Sequence, residues 1–140
     1  MRIRSRAPFL PAAVLGIVLT GCSDRIATAP VEGVVYYDGD PLHVGTVTFL
    51  PEEEGPYATG TIRPDGTFTM TTYDEGDGAI LGKHRVMISA ISEGTGLPED
   101  PIGEPILLIP ERYGSDKSSG LSATVEDIDV NKIDFKLESK

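Results

Sequence analysis

Apolar and polar residues alternate with a period of two along short runs of this chain, and turn residues separate the runs, so strands are expected throughout. The clearest signal lies between Thr59 and Thr72, where Arg63-Pro64-Asp65-Gly66 interrupts two threonine-rich segments. Pro64 pre-sets φ for the first turn position, Asp65 suits the second and Gly66 can adopt the left-handed conformation. A β-hairpin closed by a type I turn with a G1 bulge is therefore predicted. In its returning strand Phe68 and Met70 share one face, while Thr67, Thr69 and Thr71 share the other. The apolar face demands a second sheet to cover it.

Further strands are predicted on the same grounds. Val31 to Tyr37 is rich in Val and Tyr and is closed by the turn cluster Asp38-Gly39-Asp40-Pro41. Gly45 to Leu50 places Val47 and Phe49 on one face and stops at Pro51. Lys83 to Ile91 is the longest strand, with His84, Val86, Ile88 and Ala90 together on one face. Leu121, Ala123 and Val125 alternate inward, and so do Ile133, Phe135 and Leu137, with Lys132, Asp134 and Lys136 outside. Glu52 to Pro56 reads as an exposed acidic loop and Tyr73 to Gly82 as irregular chain. Ser92 to Glu111 reads as a long loop with at most a short strand at Ile106 to Ile109. Seven short strands at near-regular spacing predict a single all-β domain over residues 31–138, an antiparallel β-sandwich with Greek-key features.

Composition narrows the functional classes. The 140 residues suffice for one modest core, and no internal repeat is present. One cysteine excludes an intrachain disulfide and a multi-cysteine metal site. Twenty-two acidic residues against twelve basic give a net charge of −10, which repels phosphate backbones and argues against a nucleic-acid partner.

The N-terminus carries an address. Arg2, Arg4 and Arg6 precede the apolar run Phe9 to Leu19, the layout of a secretory signal too short to span a bilayer comfortably. The run ends in Leu19-Thr20-Gly21-Cys22, which resembles the bacterial lipobox. That resemblance implies a signal peptide over residues 1–21, cleavage between Gly21 and Cys22, and a diacylglycerol on the Cys22 thiol. Without the three leading arginines, nine bases stand against twenty-two acids and the mature chain carries −13. Residues 22–30 show no periodicity and are expected to be a tether. Ser23, with no acidic residue directly after the cysteine, resembles lipoproteins passed on to an outer membrane.

Across Val31 to about Leu137, the ordered series Gly33, Asp38-Gly39, Pro41-Leu42, Gly45, Val47, Phe49, Asp65-Gly66, Phe68, Gly78, Gly82, Val86 and Ile88 resembles the carboxypeptidase regulatory-like, or transthyretin-like, sandwich. The later Pro110, Tyr113, Ser119-Gly120-Leu121, Val125, Asn131, Phe135 and Leu137 resemble small bacterial lipoproteins that carry this domain. The resemblance implies a non-enzymatic binding or structural module at the cell envelope, with an envelope protein or glycan as partner and no cofactor. Transthyretin-like hydrolases depend on a C-terminal Tyr-Arg-Gly-Ser, whereas Arg112-Tyr113-Gly114-Ser115 has another order and lies far from the chain's end. The related iron dioxygenases keep their histidines close in sequence, unlike His43 and His84, and no nucleophile motif is present. The alternative is an adhesion module that depends on calcium or carbohydrate. Asp74, Glu75 and Asp77 offer hard oxygen ligands in a flexible loop, though without EF-hand spacing. The threonines from Thr59 to Thr72 offer hydroxyls to a sugar. Recognition is expected on the long loop from Ser92 to Ser119, since loops on a rigid scaffold carry binding.

Overall fold

The structure, a computed structural model, describes residue 21, residues 24–93 and residues 105–140. The strands, in chain order, begin with β1 (Thr28–Ala29), β2 (Val31–Tyr37), β3 (Asp40–Pro41), β4 (Thr46–Pro51) and β5 (Ala58–Thr61). Then come β6 (Thr67–Thr69), β7 (Ala79–Ile80), β8 (Gly82–Ser89), β9 (Ile91–Ser92) and β10 (Ile106–Leu107). After a 3₁₀ turn, η1 (Glu111–Gly114), the chain closes with β11 (Leu121–Val125), β12 (Asn131–Lys132) and β13 (Phe135–Leu137). Apart from η1, the described residues are all-β, in several sheets and with no barrel among them, as alternation along the chain predicts.

Strands β11-β8-β4-β5 form one antiparallel sheet, in which Phe49 lies opposite Val86 on one side and Ala58 on the other. A second sheet is built on β2. It pairs antiparallel with β3 and β6 but parallel with β12 and β13, which corrects the expectation of an antiparallel arrangement throughout. The reason is where the chain stands when it returns. β11 ends with Val125 opposite Gly82, and the Asn131 N–H then donates to the Pro30 carbonyl, so the last segment starts beside the beginning of β2 and runs with it. A parallel pair needs a long crossover, and here the whole first sheet supplies it.

The Arg63–Gly66 turn forms as its residues dictate. The Gly66 N–H donates to the Arg63 carbonyl (2.8 Å), the Arg63 N–H donates to the Thr67 carbonyl (2.8 Å), and Gly66 has φ +86°. Asp65 Oδ1 accepts the Thr67 hydroxyl (2.6 Å) and the Thr67 N–H (3.0 Å), and these bonds hold its carboxyl below the usual range. The flanking strands do not make a simple hairpin, however. β5 pairs with β4 and β6 with β2, and the Thr59–Thr71 bridge is what joins them. The turn is thus the crossing from one sheet to the other. Phe68 is drawn across because Gly33 leaves room on β2, where an added Cβ would lie 3.0 Å from the Phe68 ring and 1.8 Å from the Ile133 carbonyl oxygen.

Each sheet covers the other's apolar face, a layering consistent with a β-sandwich. Val47, Phe49, Val86 and Ile88 from the first sheet meet Val31, Val35, Phe68 and Leu137 from the second, all fully buried. His84 lies inside with its strand neighbours, as its position in the alternation requires.

Part of the segment expected to be a tether over residues 22–30 belongs to the fold. Thr28 and Ala29 pair with Ile80 and Ala79, and Ala29 is buried. The pairing depends on Gly78, at φ +89°, where an added Cβ would stand 1.7 Å from the Ala29 carbonyl oxygen. A two-residue strand with one small apolar side chain has no readable period, so only its partner reveals it.

Replacing Phe68 with Ala is predicted to cost about 3 to 5 kcal/mol through lost burial and the cavity left behind. Thr69→Ala, on the half-buried opposite face, is predicted to cost less than about 1 kcal/mol. Urea melts measure both, and equal small effects would contradict the assignment of faces.

Candidate functional site

The strand registers give the molecule two ends. Residues 24–30, 51–57, 71–81 and 126–130 gather where β2 and β8 begin, as the pairs Val125–Gly82, Asn131–Val31 and Phe49–Ala58 show. The β2–β3 turn, the Arg63–Gly66 turn, the β9–β10 ribbon and the chain's last residues lie at the other end.

At the first end, Asp77 organises the loop that the sequence marks as a candidate ligand set. Its Oδ1 accepts the Thr72 N–H (2.7 Å), and its Oδ2 accepts those of Tyr73 (2.9 Å) and Asp74 (3.0 Å). Partial burial pushes the Asp77 carboxyl up, but the N–H bonds from Thr72, Asp74 and Tyr73, with the Arg25 charge, outweigh it and hold the group below its ordinary value. Asp74 Oδ2 is engaged by Arg25 at 2.7 Å, while Glu75 is exposed. No group of three or more His, Cys, Asp or Glu among the described residues is arranged to hold a metal ion. The three acids named in the sequence therefore share a loop without converging.

Arg25 and Ile26, two residues of the expected tether, dock on this loop. The Arg25 guanidinium lies 5.2 Å over the Tyr73 ring, and the Ile26 N–H donates to the Tyr73 hydroxyl (3.1 Å). Ile26 also lines a hollow with Pro51, Ile80, Leu81 and Lys83. No described residue comes within 4 Å of a Cβ built on Gly21. Cys22, the expected lipidation site, and Ser23 lie outside the described residues.

At the second end, β9 and β10 pair as a short ribbon, Ile91 opposite Leu107 and Ser92 opposite Ile106. The aliphatic run from Ile106 is only partly docked. Ile109 is buried, whereas Ile106 is 59% and Leu107 53% exposed. Residues 94–104, the middle of the loop expected to carry recognition, lie outside the described residues. After them, Arg112 and Tyr113 bind the chain's end. Arg112 Nη2 donates to the carbonyls of Glu138 (2.7 Å) and Lys140 (2.9 Å), and the Glu138 N–H donates to the Tyr113 hydroxyl (2.9 Å). Arg112 and Tyr113, within Arg112-Tyr113-Gly114-Ser115, have this structural task, which no sequence period announces.

The histidines are far apart in role. His43 is exposed and donates its Nδ1–H to the Pro64 carbonyl. His84 is buried against Phe49, with ring centroids 5.5 Å apart, and its Nε2–H donates to the Ile80 carbonyl (2.7 Å). The threonine face is half-buried, and Arg63 ties Thr67 (3.2 Å) and Thr69 (3.0 Å) together across it.

No family model and no curated protein matches this chain. Among solved structures it is similar to a 9R-lipoxygenase from Cyanothece PCC8801, with a TM-score of 0.39 and 9% identity. That likeness covers 80% of this chain and 16% of the lipoxygenase, a level that carries neither fold nor activity across.

The Asp77 network sets a pH dependence. A carboxyl held below its unfolded value contributes stability above the unfolded pKa, near 3.9, and loses it as pH falls through the lower folded value. Asp77→Ala is predicted to destabilise the chain at pH 7 by about 1 to 3 kcal/mol, leaving backbone donors without partners. It is also predicted to flatten the fall in stability below about pH 4. Thermal melts from pH 2 to 7 of both proteins check this.

Proposed function

We propose that this chain is an exported lipoprotein, held to a membrane by diacylglycerol on Cys22 after cleavage behind Gly21. Its body is a Greek-key β-sandwich of the carboxypeptidase regulatory-like or transthyretin-like type, with β2, β4, β5, β6, β8, β11 and β13 as principal strands. It acts at the cell envelope, by preference at the outer membrane, as a non-enzymatic binding or structural module.

One observation carries the reading. Arg25 to Ala29, which follow Cys22 almost directly, are held at one end of the fold, while the apolar β9–β10 ribbon stands exposed at the other. An anchor at Cys22 therefore fixes the first end toward lipid and leaves the second free to meet an envelope protein or glycan. Two acyl chains, at about 0.8 kcal/mol per buried CH₂, hold such a domain stably. The inner faces of both sheets are filled by side chains, so recognition falls to the outside.

Cells grown with radiolabelled palmitate are expected to label the wild-type chain and not Cys22→Ala, which moves from the detergent phase to the aqueous phase. The substituted chain is expected to melt at the wild-type temperature, because Cys22 precedes every described strand. Label retained in Cys22→Ala would refute the anchor.

A further inference from the structure

We infer that the end of the fold bearing Ile26, Leu81, Ile128 and Val130 rests directly on a lipid surface whose outer groups are zwitterionic and bear ammonium. The inference builds on the anchor reading above. It begins from reach. Arg25 is the third residue after Cys22, and an extended chain spans at most about 3.3 to 3.6 Å per residue, so the Cα of the docked Arg25 stands within roughly 11 Å of the Cα that carries the anchored thiol. Arg25 is not free to swing away, since Asp74 holds its guanidinium at 2.7 Å and Thr28–Ala29 pair behind it. A tether this short sets the near end of the domain against the headgroups.

The near end is fitted to that place. Ile26 is 45% exposed, Leu81 39%, Ile128 50% and Val130 39%. Single exposed aliphatics are ordinary. These come from three separate connections, and all fall at the end where the chain meets its anchor. Tyr57, 62% exposed, joins them from the loop before β5, and a tyrosine ring suits the boundary between apolar chains and water.

Charge selects the lipid. Glu52, Glu53, Glu54, Glu126, Asp127 and Asp129 stand exposed at the same end. Arg25 is paired there, which leaves Lys83 as the exposed base of the hollow between Ile26 and Leu81. Carboxylates attract ammonium groups and are repelled by anionic headgroups, so a zwitterionic surface is the matching one.

The test places the chain, as purified from its membranes, in phosphatidylcholine vesicles containing a phosphatidylcholine with a photoactivatable diazirine in its headgroup. After illumination, mass spectrometry maps the adducts. Adducts are expected on Glu52–Tyr57, Ile80–Lys83 and Glu126–Val130, with none on Ile88–Glu93 or Ile106–Ile109. Leu81→Asp/Ile128→Asp, at exposed positions, is expected to keep the melting temperature and lose the adducts several-fold. Adding phosphatidylglycerol is expected to lower the yield at low salt, and salt to restore it. Adducts absent from the near end, or equal at both ends, would overturn the inference. So would near-end protection that needs no vesicles and grows with protein concentration, which marks a second copy. A yield that rises with phosphatidylglycerol would overturn the choice of headgroup. The mass of the N-terminal peptide separates the two readings. Cys22 without diacylglycerol refutes the anchor, whereas lipidated Cys22 with adducts at the far end refutes only the resting face.

Discussion

Phe135 is where the two sheets meet. Its ring stands edge-on to Phe49 of the first sheet, with centroids 6.0 Å apart, and stacks on Phe68 of the second at 5.9 Å. Such pairs contribute about 0.5 to 1.5 kcal/mol beyond their burial. Phe49 in turn packs on His84, so one aromatic cluster joins β4, β6, β8 and β13. Phe135 arrives there only because β13 runs parallel to β2 in a fixed register, opposite Val35. Asp134 secures that register by taking the Val34 N–H on its carboxylate (2.9 Å), at the break between β12 and β13. Residues separated by most of the chain thus close the core together.

Alternation was enough to read the principal strands and their inward faces. Val31 to Tyr37 is a strand with the bounds its composition suggests, and Phe68, Met70, Val86 and Ile88 are buried as their parity requires. Partners were not legible, because pairing is decided by contacts distant in sequence. A period of two says that Thr67–Thr69 is a strand. It cannot say that this strand leaves its neighbour across the turn for β2. Nor can it announce that the last strands run parallel, which follows from where β11 delivers the chain.

The functional features divide in the same way. The exposed acidic loops could be read locally, since each depends on a few adjacent residues. The duty of Asp77 could be read only in part. The sequence shows an acid in a glycine-rich loop, but its three N–H donors come from Thr72, Tyr73 and Asp74, and loop closure alone brings them together. Arg112 and Tyr113 were opaque for a related reason: their partners are carbonyl and amide groups near Lys140, which every residue type offers alike.

Gly78 gives a last consequence. Its missing side chain admits the Ala29 carbonyl to within what a Cβ would occupy, although the two residues lie far apart in the chain. Any bulkier residue there would evict the N-terminal segment without disturbing the aromatic cluster, because Ala29 and Gly78 sit outside it. The body would keep its shape, and under the proposed anchor its stem would lengthen by the residues that β1 now holds. Under the anchor proposed at Cys22, the distance from the β9–β10 ribbon to the membrane would then vary more widely. In that case one glycine would set the height at which the molecule stands.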